Sequence, residues 1–211
     1  MKKIIVTLWC LSLVAFADIS VQSQKKQSVM VELFSSQGCS SCPPAEEWLN
    51  SFIDNPDLWT KYVPLSFHVN YWDQLGWKDP FATVEFTQRQ YAYKKQGYTS
   101  GVYTPGFLIN SKEWRGWFDK SKSDITLSKA SVLLLSSKNS LIFVNYNTSG
   151  QFEAHVALLG FGLETEVLKG ENKGKTLEHD FVVLDMQSVR MKGSKAEFKA
   201  FEIGLRLNDM P

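Results

Sequence analysis

Apolar residues run almost unbroken from Val29 to Phe34, with Glu32 the one charged interruption. A short run of this kind, apolar on both faces, predicts a buried central strand of a parallel sheet. A helix-like segment follows, carrying Trp48, Leu49, Phe52 and Ile53. Pro43 and Pro44 stand at its start. If Cys42 is the N-cap, Pro43 falls at the first helical position, where its missing N–H costs nothing. Residues 63–69 predict the next strand, so 29–69 reads as a βαβ unit. Asp79-Pro80 resembles an N-cap and first-turn pair and Gly97 a C-terminal stop, bracketing a helix of about four turns. Residues 107–110 predict a third strand, 113–118 a fourth by hairpin, and 123–137 a closing helix.

The pattern changes after Lys138. Residues 141–146, 153–159, 164–168, 179–184 and 197–205 predict strands, with turns at 148–150 and 172–174. This half reads as a β-rich, sandwich-like meander without a cluster of catalytic residue types. At the other end, 1–17 combines Met1-Lys2-Lys3 with an apolar stretch to Ala17 and an Ala15-Phe16-Ala17 cleavage signal. That pattern predicts an export signal, too short for a membrane span. Residues 18–28 are polar and predict a tether.

Composition narrows the picture. The 211 residues are 44% hydrophobic and 13% aromatic, which supports a real core. Without residues 1–17, which hold two lysines and no acid, 21 basic residues face 22 acids. Nothing in that balance points to a nucleic-acid partner, and the Lys25-Lys26 and Lys94-Lys95 pairs read as solvated surface. Removal of the signal also takes away Cys10 and leaves one cysteine pair, in a protein expected to be periplasmic or secreted.

That pair, Cys39-Ser40-Ser41-Cys42, lies between the first strand and the first helix. A helix start offers unpaired N–H groups and the positive end of the dipole, which favour a thiolate. Cys39 is expected to be the attacking sulfur, reachable at the sheet edge, and Cys42 the thiol that resolves the mixed disulfide. Three other uses stay open: half of a zinc site, for which no second cysteine pair exists; a soft-metal site completed by a histidine or methionine; and a structural disulfide, whose small ring would stabilise little.

Around the pair, Glu32 lies seven residues before Cys39 and could take the proton of Cys42. The competing reading is a strand glutamate bound to a lysine or water. His68, at the end of the second strand, should share an edge with Cys39 and could steady the thiolate, move protons or complete a Cys2His metal site. It could equally be a satisfied structural histidine. Thr104-Pro105 precedes the third strand. In a β–CxxC–α–β–α–Thr-Pro–β order a cis-proline packs against the pair and leaves backbone for a substrate; otherwise it is a turn proline. Tyr71 and Trp72 are expected to form a packed lid or one wall of a peptide groove. His155 and His179 receive no role.

The runs VELFSSQGCSSCPPAE, FHVNYWDQLGWKDPF, FTQRQYAY and VYTPGFLIN, with KGENKGKTLEH later, resemble the secreted thioredoxin-like proteins catalogued as the domain-of-unknown-function 1223 family. The resemblance runs from about residue 29 to near the end. It implies an α/β fold, a thioredoxin-like domain over 29–138 followed by a β-rich segment over 139–211, and export; it supplies no settled activity. Asn70 stands where the family more usually has Asp, which weakens an acid or metal role there. The chain also stops, at Met210-Pro211, before the last strand typical of the family, so the appendage is expected to be incomplete or completed by a partner. The function expected from residues and resemblance together is thiol–disulfide exchange with a protein or small-molecule disulfide or dithiol, without a cofactor or a membrane span in the mature chain. The alternatives are a copper or zinc carrier using Cys39, Cys42 and His68, and a non-catalytic binding module.

Overall fold

The computed structural model describes residues 19–23, 25–117, 133–138, 141–146 and 150–201. The signal-like stretch 1–17 lies outside them. The first half contains β1 (Ile19–Gln22), β2 (Val29–Ser35), α1 (Pro43–Asn50), β3 (Tyr62–His68), α2 (Val84–Lys95), β4 (Gly106–Ile109) and β5 (Lys112–Trp114). The second contains β6 (Leu133–Lys138), β7 (Leu141–Tyr146), β8 (Glu153–Gly160), β9 (Leu163–Glu166), β10 (Thr176–His179), β11 (Val182–Arg190) and β12 (Lys195–Lys199).

The fold is mixed α/β with β-rich additions. A central sheet has the order β5-β4-β2-β3-β11-β8, in which β2, β3 and β11 are parallel neighbours and the remaining pairs antiparallel. It therefore draws strands from both sides of residue 138. A second, antiparallel sheet has the order β1-β6-β7-β12, and β9 and β10 form a separate hairpin.

Strand β2 is buried along nearly its whole length, as its apolar run requires. Successive side chains leave a strand on opposite faces. Val29, Val31 and Leu33 pack with Ala45 and Leu49 of α1, while Phe34 joins Phe67, Val69 and Phe86 on the α2 side. Two helices thus cover the two faces of one strand.

Local chemistry sets the helix ends. Cys42 is the N-cap of α1 with Pro43 next, and the Ala45 and Glu46 amides close onto the Cys42 carbonyl. Helix α2 starts later than expected. Thr83, not Asp79, is its cap, its hydroxyl accepting from the Phe86 amide at 3.1 Å. Gly97, at φ +78°, follows its end, in the left-handed region that glycine tolerates.

Three further expectations change. Of the segment expected as a closing helix, 133–137 belongs to β6, while 123–132 lies outside the described residues. The run 179–184 is not one strand: Asp180 and Phe181 (φ +58°) break it, and the Phe181 ring enters the α1-side core. Part of the expected tether, Ile19–Gln22, pairs with β6 as β1.

Candidate functional site

Ser35 is paired with His68 across β2 and β3, so the segments leaving both strands emerge at one edge of the sheet. The segment after β2 turns tightly: the Cys39 amide donates to the Ser36 carbonyl at 3.1 Å, and the Cys42 amide to the Cys39 carbonyl at 3.2 Å. Glycine suits position 38, because a Cβ would stand 3.1 Å from Cβ of Trp72, a tight contact that the indole would have to relieve.

Cys39 and Cys42 are both free thiols. The Cys39 sulfur lies 3.3 Å from the Ser41 hydroxyl. A hydrogen bond from Cys42 lowers the Cys39 pKa most; burial works against it, and the Ser41 and Thr104 hydroxyls help bring it from 9.0 to about 6. Thr104 is prepared for this. The Trp72 indole N–H donates to Thr104 Oγ1 at 2.8 Å, so the threonine's own proton remains free for the sulfur. The Thr104–Pro105 bond is cis. Burial, then the neighbouring Cys39 sulfur, pushes Cys42 well above its ordinary value. Of two chemically identical side chains three apart, the surroundings lower the pKa of one and raise that of the other.

The expected reachable position of Cys39 is not observed. Cys39 is 1% exposed and Cys42 fully buried. Tyr71 and Trp72 are half-buried beside them, packed against the α2-side core, and the Tyr71 hydroxyl donates to Gln90 at 3.3 Å.

Glu32 does not sit in this group. It lies on the α2 side of β2, where Arg89 Nε and Nη2 donate to Oε1 at 2.9 and 2.7 Å and the Tyr93 hydroxyl donates to both oxygens. Even spacing along a strand put Glu32 on one face and α1 covers the other. The carboxylate whose charge acts on Cys42 is Glu46, one helical turn beyond it on α1. That spacing is visible in the sequence once the helix start is fixed, but it was not among the expected site residues.

Glu46 is buried between Ser35 and His179. Its pKa is lowered: burial opposes the charge, and contact with His179 together with the nearby His68 outweighs it. His68 is held by Asp79, Nδ1 to Oδ2 at 2.7 Å, and its Nε2 has no hydrogen-bond partner among the described residues. Burial disfavours a charged His68, yet the Asp79 carboxylate raises its pKa to about 9. Asp79, expected as a helix cap, instead accepts from His68 and from the Gln37 and Phe81 amides. His179, given no role from sequence, is brought here by the β9–β10 hairpin packing on α1.

Glu46, His68 and His179 offer ligand atoms within 4.8 Å of one another, and neither cysteine belongs to that group. The hydrogen bonds show how the space is used. Trp77 Nε1 donates to Gln37 Oε1 at 2.9 Å, and an indole N–H can only donate. The Gln37 amide nitrogen therefore faces His179 Nε2, at 3.1 Å, and Nε2 is an acceptor. The proton of His179 sits on Nδ1 and points at Glu46, where a cation would have to bind. The triad suits a hydrogen-bonded support for α1 better than a metal centre.

The loop 167–175 lies over the other side of the turn. Asn172 Nδ2 donates to the carbonyls of Gln37 and Cys39, both at 2.9 Å, and Glu171 accepts from the Ser40 amide at 2.9 Å. No sequence signal joined this loop to the cysteines, because the contacts span 131 to 135 positions.

A family described as proteins of unknown function, DUF1223, matches residues 30–206. The chain belongs to that family. Among solved structures, the crystal structure of protein AGR_C_4864 from Agrobacterium tumefaciens is similar, with 28% identity and a TM-score of 0.58 over 84% of this chain and 78% of that one. HBP35 of Porphyromonas gingivalis is more distant, at 14% identity and a TM-score of 0.46, covering 84% of this chain and 65% of that one. No curated protein matches the chain.

Proposed function

We propose that this DUF1223 protein is an exported, thioredoxin-like thiol–disulfide oxidoreductase acting on disulfide or dithiol proteins in the periplasm or outside the cell. One observation carries the reading: the opposite treatment of two neighbouring thiols, with Cys39 lowered to about 6 and Cys42 raised. Near neutral pH the Cys39 thiolate attacks a substrate disulfide, forming a mixed disulfide and releasing one substrate thiolate. Cys42 then loses its proton and attacks the Cys39 sulfur. The second substrate thiolate leaves, the protein pair becomes a disulfide, and the substrate has gained two electrons. The reverse sequence oxidises a dithiol. Thr104 steadies the thiolate, and the Thr104-Pro105 backbone, flanked by Tyr71 and Trp72, is the surface offered to substrate. Export rests on the basic and apolar pattern of residues 1–17. No described helix is long and apolar enough to cross a membrane.

The test is disulfide reduction by the reduced protein, with release of substrate thiol followed over time. Cys39→Ser should abolish release, and Cys42→Ser should accumulate the covalent adduct. A wild-type protein that reduces no disulfide, with both thiols intact, would end this reading. It would favour a second one, a non-catalytic binding module, for which the 1% exposure of Cys39 is the supporting observation.

A further inference from the structure

The β9–β10 connection is exposed from Leu168 through Thr176 with one exception, Asn172, which is fully buried. Its orientation is set from both ends. Lys175 Nζ, a donor only, bonds Oδ1 at 2.9 Å, so both N–H groups of the amide point to the redox turn, one to the Gln37 carbonyl and one to that of Cys39. Glu171 adds a bond to the Ser40 amide from the surface. Gly170 and Gly174 bracket these residues at φ +78° and +81°, in backbone conformations that glycine enters without strain. Within the loop the bonds are short-range, Gly174 N to Val167 O and Lys175 N to Asn172 O, so it keeps its own shape. Val167 anchors it at the strand end, fully buried; beyond that it meets the rest of the protein through few points: Asn172, Glu171 and the packing of Gly170 on Trp77.

We propose that loop 167–175 is a strap over the redox turn and Asn172 its latch. Closed, the latch holds the Gln37–Cys39 backbone so that the Cys39 sulfur stays among Cys42, Ser41 and Thr104, shielded from solvent. Open, it lets the turn move and Cys39 meet a substrate. Opening also frees two carbonyls and the Ser40 N–H, groups that pair with an extended polypeptide main chain rather than with a small disulfide. The strap thus regulates the site on the reading that Cys39 is the attacking thiol. Local opening with few buried contacts is the kind of motion that leaves the core intact.

The test is the rate of Cys39 alkylation by iodoacetamide in the reduced full chain, across a pH series. Asn172→Ala removes both bonds, and Asn172→Asp keeps the size but sets carboxylate oxygens against carbonyl oxygens. Loss of two backbone-directed hydrogen bonds should raise the plateau rate about tenfold or more. The midpoint pH should stay where it is, because the closed form still predominates and its sulfur keeps the same hydrogen-bond donors. Unchanged plateau rates in both variants would overturn the strap. So would acceleration confined to Trp72→Ala, which would put the cover on the 70–75 turn. A wild-type measurement guards against variants that do not fold. A strap predicts alkylation insensitive to low urea, whereas a rate rising with the slope of global unfolding would show that no local gate exists. If Cys39 alkylates through a local opening yet exchanges with no disulfide, the strap stands and the oxidoreductase reading falls; with the results reversed, only the strap falls.

Discussion

Gln37 and His179, 142 positions apart, meet at 3.1 Å between their side-chain nitrogens. One residue belongs to the turn that holds the thiols and the other to the hairpin that overlies α1. Their contact decides which ring nitrogen of His179 carries the proton, and so aims that proton at Glu46. A buried carboxylate on the helix beside Cys42 is tolerated because this bond, Ser35 and His68 offset its desolvation.

His179→Ala should therefore destabilise the fold by about 3 kcal/mol, the usual consequence of leaving one buried charge without its partner. The Glu46→Gln and His179→Ala double variant should lose less than the sum of the two single losses, since the residues share one interaction. Urea midpoints at constant slope would show both effects.

Arg89→Ala should have a similar cost, about 3 kcal/mol, because Glu32 is fully buried and Arg89 supplies two of its hydrogen bonds. It should leave the midpoint pH of Cys39 alkylation unchanged. A shifted midpoint would return Glu32 to the cysteine site, from which its pairing with Arg89 and Tyr93 separates it.

Cys39 should alkylate with a midpoint near pH 6, well below the ordinary 9.0 of a cysteine. Cys42→Ala removes the leading hydrogen bond and should move that midpoint up more than Thr104→Val, which removes a weaker one. Equal shifts in the two variants would refute the order of donors.

Stability should be nearly flat between about pH 6.5 and 9, for a reason that variants can expose. His68 has a folded pKa raised from 6.5 to about 9, so its contribution is complete below 6.5 and is lost as pH rises through 9. Cys39 is depressed from 9.0 to about 6, so its contribution is present above 9 and is lost as pH falls through 6. The two slopes oppose, each worth on the order of 3–4 kcal/mol across the window. Cys39→Ser should lose stability from pH 6.5 to 9, and His68→Asn should gain it. Unfolding curves at several pH values would read both, and parallel slopes in the two variants would exclude the pairing of effects.

The parts legible from sequence are those governed by near neighbours. The apolar run at 29–34 marked a buried strand, Pro43 placed the helix start at Cys42, and Gly97 marked a helix end, because each reflects backbone geometry within a few residues. The Asp79 cap failed for an instructive reason. An Asp before Pro has the local form of a cap, but a buried histidine 11 positions earlier competes for the same carboxylate. Phe181 broke an apparently continuous strand because its ring fills the core against α1, a demand made by residues far away in the chain.

Sequence by itself determined the strand–turn–helix that carries Cys39 and Cys42 and the edge on which His68 lies, since side-chain period and parallel pairing follow from short-range rules. Only the tertiary structure decided that β8 and β11 extend the central sheet, that Arg89 and Tyr93 hold Glu32 away from Cys42, and that His179 and Asn172 close around the turn. The contacts of β11, His179 and Asn172 with the first half join segments more than a hundred residues apart. They arise from the packing of whole faces, and no local periodicity records which distant face will arrive.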